Sequence, residues 1–170
     1  MTVFLMMTAG MSSVPYTCQG TEEDSLKTEK SVCTVNHRQR HKKHSKSSWD
    51  DVIYSIMYVE SKGNRKATNH SCKGIMQISP SAVKDANEYL RKTGKKKRFT
   101  SHDRFNPKKS MEIFKIEQER YNKEHSIEKA IRIWNGGPHY KKRGTSSYYR
   151  KVMRAYHDKK ILSITKQKIR

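Results

Sequence analysis

An all-α domain is the fold class that the sequence predicts, on three observations. Apolar residues between about 49 and 157 recur at the three- and four-residue spacing of amphipathic helices. Residues that start helices (Ser or Asn followed by Pro) and residues that end them (Gly) bracket these segments. No two alternating segments stand close enough to form a sizeable hairpin. The sequence therefore predicts a compact multi-helix globule over residues 48–158.

The first predicted helix contains an acidic residue where its pattern calls for an apolar one. Its buried stripe consists of Trp49, Val52, Ile53, Ile56 and Met57. The next member of the stripe is Glu60, and Gly63 predicts the helix end just beyond it. Burial and the negative end of the helix dipole both disfavour a carboxylate, so the pKa of Glu60 should rise and make it a candidate general acid. The alternative is that the helix end frays and Glu60 reaches water.

The later helices are predicted from their caps and their apolar stripes. They run from Ser79-Pro80 to Thr93, from Asn106-Pro107 to about Tyr121, from Ser126 to the NGGP at 135–138, and from Thr145–Ser147 to about Tyr156. Between the first two helices lies SCKGIMQISP, in which the polar Gln77 stands between Ile75 and Ile78. This segment is short and begins with glycine, so it is predicted to be either the extended wall of a cleft or a buried connector.

Composition and charge describe the parts outside the domain. The 170 residues carry a formal net charge of +21 with 33% hydrophobic residues, and such a field attracts polyanions of any kind. No run approaches the roughly 18 apolar residues of a membrane-spanning helix, so no transmembrane segment is expected.

Residues 1–47 are predicted to be an extension, and residues 159–170 a basic C-terminal tail. Residues 1–15 have the outline of a signal peptide without its charged first part, which leaves export signal and flexible tail as alternatives.

The three cysteines allow at most one internal disulfide. A pairing of Cys18 with Cys33 is expected because both lie in the extension, and Cys72 is then a small, partly buried free thiol. A metal site on a shared helix face is an alternative role for Cys33, His37, His41 and His44. Nothing apolar nearby would hold such a helix in place, so neither a metal nor a cofactor is predicted.

Four short motifs follow one another across about residues 49–157. They are Glu60-Ser61 at a helix end, Gly74-Ile75-Met76-Gln77, Trp134-Asn135-Gly136-Gly137-Pro138, and Tyr148 followed by Val152. Each motif is weak alone. In this order and at these spacings they resemble the catalytic domain of soluble lytic transglycosylases, in the lysozyme-like superfamily that includes goose-type lysozymes. One departure is Trp134, which stands where the family has a tyrosine.

The resemblance implies a lysozyme-like fold with a groove for the glycan strands of peptidoglycan. It implies that Glu60 is the single catalytic acid and base, cleaving the β-1,4 bond between N-acetylmuramic acid and N-acetylglucosamine to leave a 1,6-anhydro end. It assigns substrate-binding roles to Ser61, Met76, Gln77, Trp134, Asn135 and Tyr148. The usual pair of carboxylates is not required, because the acetamido group of the sugar can assist.

Two other functions are weighed against this lytic transglycosylase. A hydrolase like goose-type lysozyme would use water as the acceptor, and a non-enzymatic protein would use its charge only to bind polyanions or cell wall. Aromatic residues do not interleave the basic runs at 38–46, 91–98 and 159–170, so no specific nucleic-acid partner is expected. The lysine-rich 91–99 is either a solvated loop or a contact to peptide-stem carboxylates or anionic wall polymers. A monomer is expected, secreted, periplasmic, or delivered by a phage or other mobile element.

Overall fold

The computed structural model describes residues 49–169, most of which lie in six α-helices. The helices are α1 Asp50–Ser61, α2 Pro80–Lys92, α3 Pro107–Tyr121, α4 Ile127–Gly136, α5 Ser146–His157 and α6 Lys159–Ile169. A small antiparallel hairpin, β1 Thr68–Asn69 with β2 Cys72–Lys73, follows α1. Short 3₁₀ helices, His102–Phe105 and Tyr140–Lys142, precede α3 and α5. The predicted mainly α class is confirmed.

Three helices begin where the capping residues predict. Ser79, Asn106 and Ser126 each accept a hydrogen bond on the side-chain oxygen from a first-turn backbone N–H, at 3.2, 3.0 and 3.2 Å. Proline occupies the first position of α2 and α3, where its missing N–H costs nothing. Each such cap stabilises its helix by about 1 kcal/mol, so these starts follow from local chemistry.

The core is organised around α1, which packs on α4, α5 and α6, while α3 lies against both α2 and α4. Ile53, Ile56 and Met57 of α1 have no exposed surface. The Phe114 ring lies 5.9 Å from Trp49 and 5.4 Å from Trp134, centroid to centroid, which links α3 to the start of α1 and the end of α4. Burying each large apolar side chain contributes about 1.5–3 kcal/mol, so these contacts hold the middle of α3 against the start of α1 and the end of α4.

The C-terminal segment differs from the tail that the sequence predicts, because residues 159–169 form α6 and dock on α1 and α5. Leu162 and Thr165 are buried, and Ile169 packs against the core. Lys166 forms an ion pair with Asp51 of α1 at 2.9 Å. The buried stripe is short, has a threonine at its centre and lies among many lysines, so the sequence gives only a weak signal for an amphipathic helix here.

Cys72 lies on β2 with no exposed surface and is disulfide-bonded, so the prediction of a free thiol there is wrong. Pairing depends on distance in space, which cysteine spacing in a sequence does not report. The bonding partner lies outside the described residues. The disulfide at Cys72 uses one of the other two cysteines, so the predicted Cys18–Cys33 pair is wrong as well. The alternative metal-binding face and the signal-like segment also lie outside the described residues.

Residues 49–169 contain neither a membrane-spanning helix nor a cluster of metal-binding side chains. No helix in this range is long and apolar enough to cross a membrane. In the same range, no three or more His, Cys, Asp or Glu side chains lie close enough together to hold a metal ion.

Candidate active site

Glu60 lies in the last turn of α1, as the stripe predicts, and keeps part of its surface exposed. The helix ends immediately after it, because Lys62 and Gly63 take left-handed backbone angles with φ of 53° and 79°. The hydroxyl of Tyr148 on α5 donates a hydrogen bond to Oε1 of Glu60 at 2.7 Å, joining residues 88 positions apart. The α1–α5 packing therefore holds one oxygen of the carboxyl in a defined direction.

Burial raises the pKa of Glu60 from 4.5 to about 8. The Tyr148 hydrogen bond, and then the nearby Trp134 indole, lower the pKa without offsetting burial. The Trp134 N–H reaches no acceptor at normal hydrogen-bond geometry within the described chain, so we treat its effect as that of a nearby dipole. The direction predicted from the sequence is confirmed, and Glu60 carries its proton at neutral pH.

Tyr148 has 2% of its surface exposed. Burial, followed by the charge of Glu60, holds the pKa of Tyr148 well above its usual value. The phenol therefore stays neutral throughout the physiological range and donates to Glu60 whether that carboxyl is protonated or ionised. It stabilises the ionised form more, because hydrogen bonds to a charged acceptor are the stronger ones.

Ser61 ties the end of α1 to the loop that follows the hairpin. Its hydroxyl donates to the carbonyl oxygen of Ile75 at 2.8 Å, with the Met57 carbonyl farther away at 3.2 Å. The sequence assigns Ser61 a substrate contact. In this structure its hydrogen is used within the protein, so its first effect is to fix the loop relative to Glu60.

The loop of residues 74–77 is a closed turn, not the extended wall predicted as one alternative. The backbones of Lys73 and Ile78 pair across its base through hydrogen bonds of 3.2 and 3.0 Å. Gly74 has φ +76°, and a Cβ there would lie 1.8 Å from the carbonyl oxygen of Arg104. Glycine is required here on both grounds.

Arg104 closes the turn from behind and is a residue that the sequence analysis missed. Its guanidinium donates to the carbonyl oxygens of Ser71 at 2.7 Å and Ile78 at 3.1 Å, on the two sides of the turn. Burial lowers its pKa, yet an arginine stays charged. No local pattern marks this residue, because its partners are about 30 positions away along the chain.

Gln77 and Met76 occupy the far side of the same turn. Gln77 takes φ 49° and donates from Nε2 to the Gly74 carbonyl at 2.8 Å, which fixes its amide. Its Oε1 is buried and has no hydrogen-bond partner among residues 49–169. Met76 has no exposed surface and belongs to the core, so the structure places it behind the loop.

The end of α4 supplies the third part of the site. Trp134 is buried near Glu60, and Asn135 next to it is partly exposed. A Cβ on Gly136 would lie 2.8 Å from the Thr145 side chain, so the small residue lets the end of α4 approach the start of α5. This approach brings the third and fourth motifs together.

Glu117 on α3 is a second buried carboxyl that the sequence analysis missed, with 6% of its surface exposed. Burial, and then the charge of Asp85, raises its pKa to about 8. Its charge also raises the pKa of Tyr148, so it lies within electrostatic reach of the site. The signal was available, since Glu117 follows Phe114 at the same three-residue spacing that marked Glu60.

The family model for the transglycosylase SLT domain matches residues 38–156, which include all four motifs. This chain belongs to that family. Members of the family are peptidoglycan lytic transglycosylases, so the chain is an enzyme whose substrate is peptidoglycan. No curated protein and no solved structure matches the chain. Helix α6 begins beyond the matched residues.

Proposed function

We propose that this lytic transglycosylase cleaves the β-1,4 bond between N-acetylmuramic acid and N-acetylglucosamine, with Glu60 as its single acid and base, and releases 1,6-anhydro ends. The observation that carries the proposal is that the Glu60 carboxyl has a raised pKa and is also held in one orientation. Glu60 has a pKa of about 8, and Tyr148 holds one of its oxygens at 2.7 Å. A carboxylic acid that is protonated at neutral pH and fixed in direction is what the first step needs.

In the first step Glu60 gives its proton to the glycosidic oxygen, and the bond from that oxygen to the anomeric carbon breaks. The acetamido oxygen of the same sugar assists by sharing the positive charge on the anomeric carbon. In the second step the Glu60 carboxylate takes the proton of the 6-hydroxyl, whose oxygen bonds to the anomeric carbon. Glu60 ends protonated, ready for another cycle. Between the steps, the Tyr148 hydrogen bond stabilises the carboxylate.

The remaining motif residues divide into two groups in this proposal. Asn135, which is partly exposed, contacts the sugars, while Gln77 and Trp134 line the wall behind it with an Oε1 and an Nε1 that have no partner among residues 49–169. Ser61 and Met76 support the loop that carries Gln77. Action on peptidoglycan implies a location in the cell envelope, reached by secretion or by phage delivery.

The decisive experiment compares wild type with Glu60→Gln on purified peptidoglycan, with the released muropeptides identified by mass. We expect anhydro products from wild type and a loss of about 10²–10⁴-fold in rate for the variant, which keeps the side-chain shape but has no transferable proton. Wild-type activity should fall as pH rises through about 8, since the acid form starts the reaction.

The control is Glu128→Gln, an exposed residue of α4 that pairs with Arg132, and circular dichroism verifies the fold of each variant. Reducing ends in place of anhydro ends would identify a hydrolase that uses the same acid. Wild-type turnover in a folded Glu60→Gln variant would remove Glu60 from the mechanism.

A further inference from the structure

Most lysines of the loop at 91–99 are compensated by acids. Lys95 and Lys97 form ion pairs with Glu119 and Glu112 of α3, and Lys92, the last residue of α2, pairs with Glu88 one turn earlier in the same helix. The Arg98 guanidinium donates to the carbonyl oxygens of Lys95 and Lys97. Half of the six cations at 91–98 therefore have a carboxylate partner, and this run presents less uncompensated charge than its composition suggests.

A second group of cations lacks this compensation. We call it the α5–α6 basic face, and it consists of Arg150, Lys151, Arg154, Lys159 and Lys160. All five residues are exposed, and no ion pair joins any of them to a carboxylate within residues 49–169. The acid at the junction, Asp158, accepts hydrogen bonds from the backbone N–H groups of Lys160 and Ile161 at 2.9 and 3.1 Å, as the cap of α6.

The geometry of α5 separates this face from the active site. Arg154 lies one helical turn from both Arg150 and Lys151, so the three cations are neighbours on the helix surface. Tyr148 and Val152 occupy the buried side of the same helix, at 2% and 0% exposure. One side of α5 thus holds Glu60, and the other carries charge that no packing contact explains.

We propose that the α5–α6 basic face binds the free carboxylates of the peptide stems of peptidoglycan and holds the enzyme on the polymer that it cuts. This inference rests on the proposed function, which identifies peptidoglycan as the polymer that the enzyme cuts. The polymer repeats its carboxylates along every strand, so contacts that are weak singly add up through multivalency. Guanidinium groups suit this ligand because they bind a carboxylate through two parallel hydrogen bonds.

The face is poorly suited to single-stranded nucleic acid, which binds on exposed aromatic rings between the cations. The nearest aromatic residues on α5 are Tyr149 and Tyr156, both partly buried. The Arg132 guanidinium covers the Tyr149 ring, 4.8 Å from its centroid. A carboxylate-bearing polymer requires no such ring and matches the charge alone.

The test compares two triple variants that remove the same three charges. One is Arg150→Gln, Lys151→Gln and Arg154→Gln, and the other is Lys95→Gln, Lys96→Gln and Lys97→Gln. Both are made in the Glu60→Gln chain, so adsorption is measured without digestion and does not depend on the identity of the product. The probes are peptidoglycan freed of teichoic acid, the same material stripped of its peptides, peptidoglycan that retains teichoic acid, and duplex DNA.

We expect the α5 variant to lose about tenfold in adsorption to peptide-bearing peptidoglycan at about 0.15 M salt, since it loses three exposed contacts that are each weak and partly screened by salt. The loop variant should lose less than half of its adsorption, and peptide-free glycan should bind both alike. Equal losses in the two variants, unchanged adsorption, or a loss that persists on peptide-free glycan would overturn the proposal. A loss seen only with teichoic acid or only with DNA would assign the face to phosphates and overturn it as well.

Discussion

The Glu60–Tyr148 hydrogen bond shows which effect decides the chemistry at the scale of single residues. A hydrogen bond to a charged group is worth about 1.5–3 kcal/mol, and this one favours the carboxylate. Burial acts in the opposite direction and is larger, since the pKa of Glu60 stands at about 8 and not below 4.5. The tyrosine therefore moderates a shift that the apolar surroundings of α1 and α4 produce.

Tyr148→Phe should reduce kcat by about tenfold or more, because the carboxylate formed after proton transfer loses its donor. The alkaline limb of the pH–rate profile should move above pH 8, since the hydrogen bond lowers the pKa of Glu60 and its removal raises it. The measurement is kcat across pH 5–10. Tyr149→Phe, one residue along the helix, is the control. A reduced kcat with an unmoved alkaline limb would mean that Tyr148 acts only through packing.

At the scale of elements, α6 packs against the turn that ends α1. The Lys168 ammonium donates to the Lys62 carbonyl oxygen at 2.8 Å, and the Arg65 guanidinium donates to the Lys168 carbonyl oxygen at 3.0 Å. A cation at this carbonyl also complements the negative end of the α1 dipole. The two hydrogen bonds fix the residues that immediately follow Glu60.

Lys168→Met should lower kcat several-fold with little change in KM, because Met keeps the aliphatic contact over Gly63 and loses only the donor. Lys168→Arg should restore kcat, as its guanidinium can reach the same carbonyl. Lys84→Met, at an exposed position of α2, makes the matching charge change elsewhere. Equal effects of Lys168→Met and Lys84→Met on kcat would contradict a positioning role for this contact.

At the scale of the whole molecule, two buried acids make stability depend on pH. Glu60 and Glu117 both have pKa values of about 8 in the folded chain, against an ordinary glutamate value of 4.5. Between these values the folded state binds more protons than the unfolded state, so stability falls as pH rises. The contribution is most favourable below about pH 4.5, and above about pH 8 the penalty is complete.

Glu117→Gln should therefore raise Tm more at pH 9 than at pH 5, because it removes the cost of ionising a buried group with an unpartnered oxygen. Thermal melts at both pH values measure the difference. Glu112→Gln, at a partly exposed acid of the same helix that pairs with Lys97, should change Tm equally at the two pH values. A Glu117→Gln effect that does not depend on pH would show that the carboxyl is not titrating in the folded chain.

A chain that begins at Ser45 should fold and digest peptidoglycan, because the core and all four motifs lie at residue 49 and beyond. It should have a lower Tm than the full chain, since it lacks Cys18 and Cys33 and cannot form the disulfide of Cys72. A reducing agent should lower the Tm of the full chain only. Loss of helical circular dichroism or of digestion in the short chain would place the domain boundary earlier.

The sequence by itself determined the features that depend on neighbours along the chain. The caps at Ser79, Asn106 and Ser126 act on N–H groups within their own first turns, so residue type and spacing were sufficient. The same holds for Glu60, whose burial and helix-end position follow from the stripe and from Gly63. The four motifs and the all-α class required no more than this local information.

Only the tertiary structure decided which distant groups meet. Tyr148 reaches Glu60 across 88 positions, and Arg104 clamps its turn across 26 and 33 positions. Contacts between segments that are far apart in the chain also decide three other features. These are the docking of α6, the disulfide of Cys72, and the ion pairs between the lysine-rich loop and the acids of α3. Desolvation and ion pairing are set by everything within a few ångströms in space, and a sequence lists neighbours only along the chain.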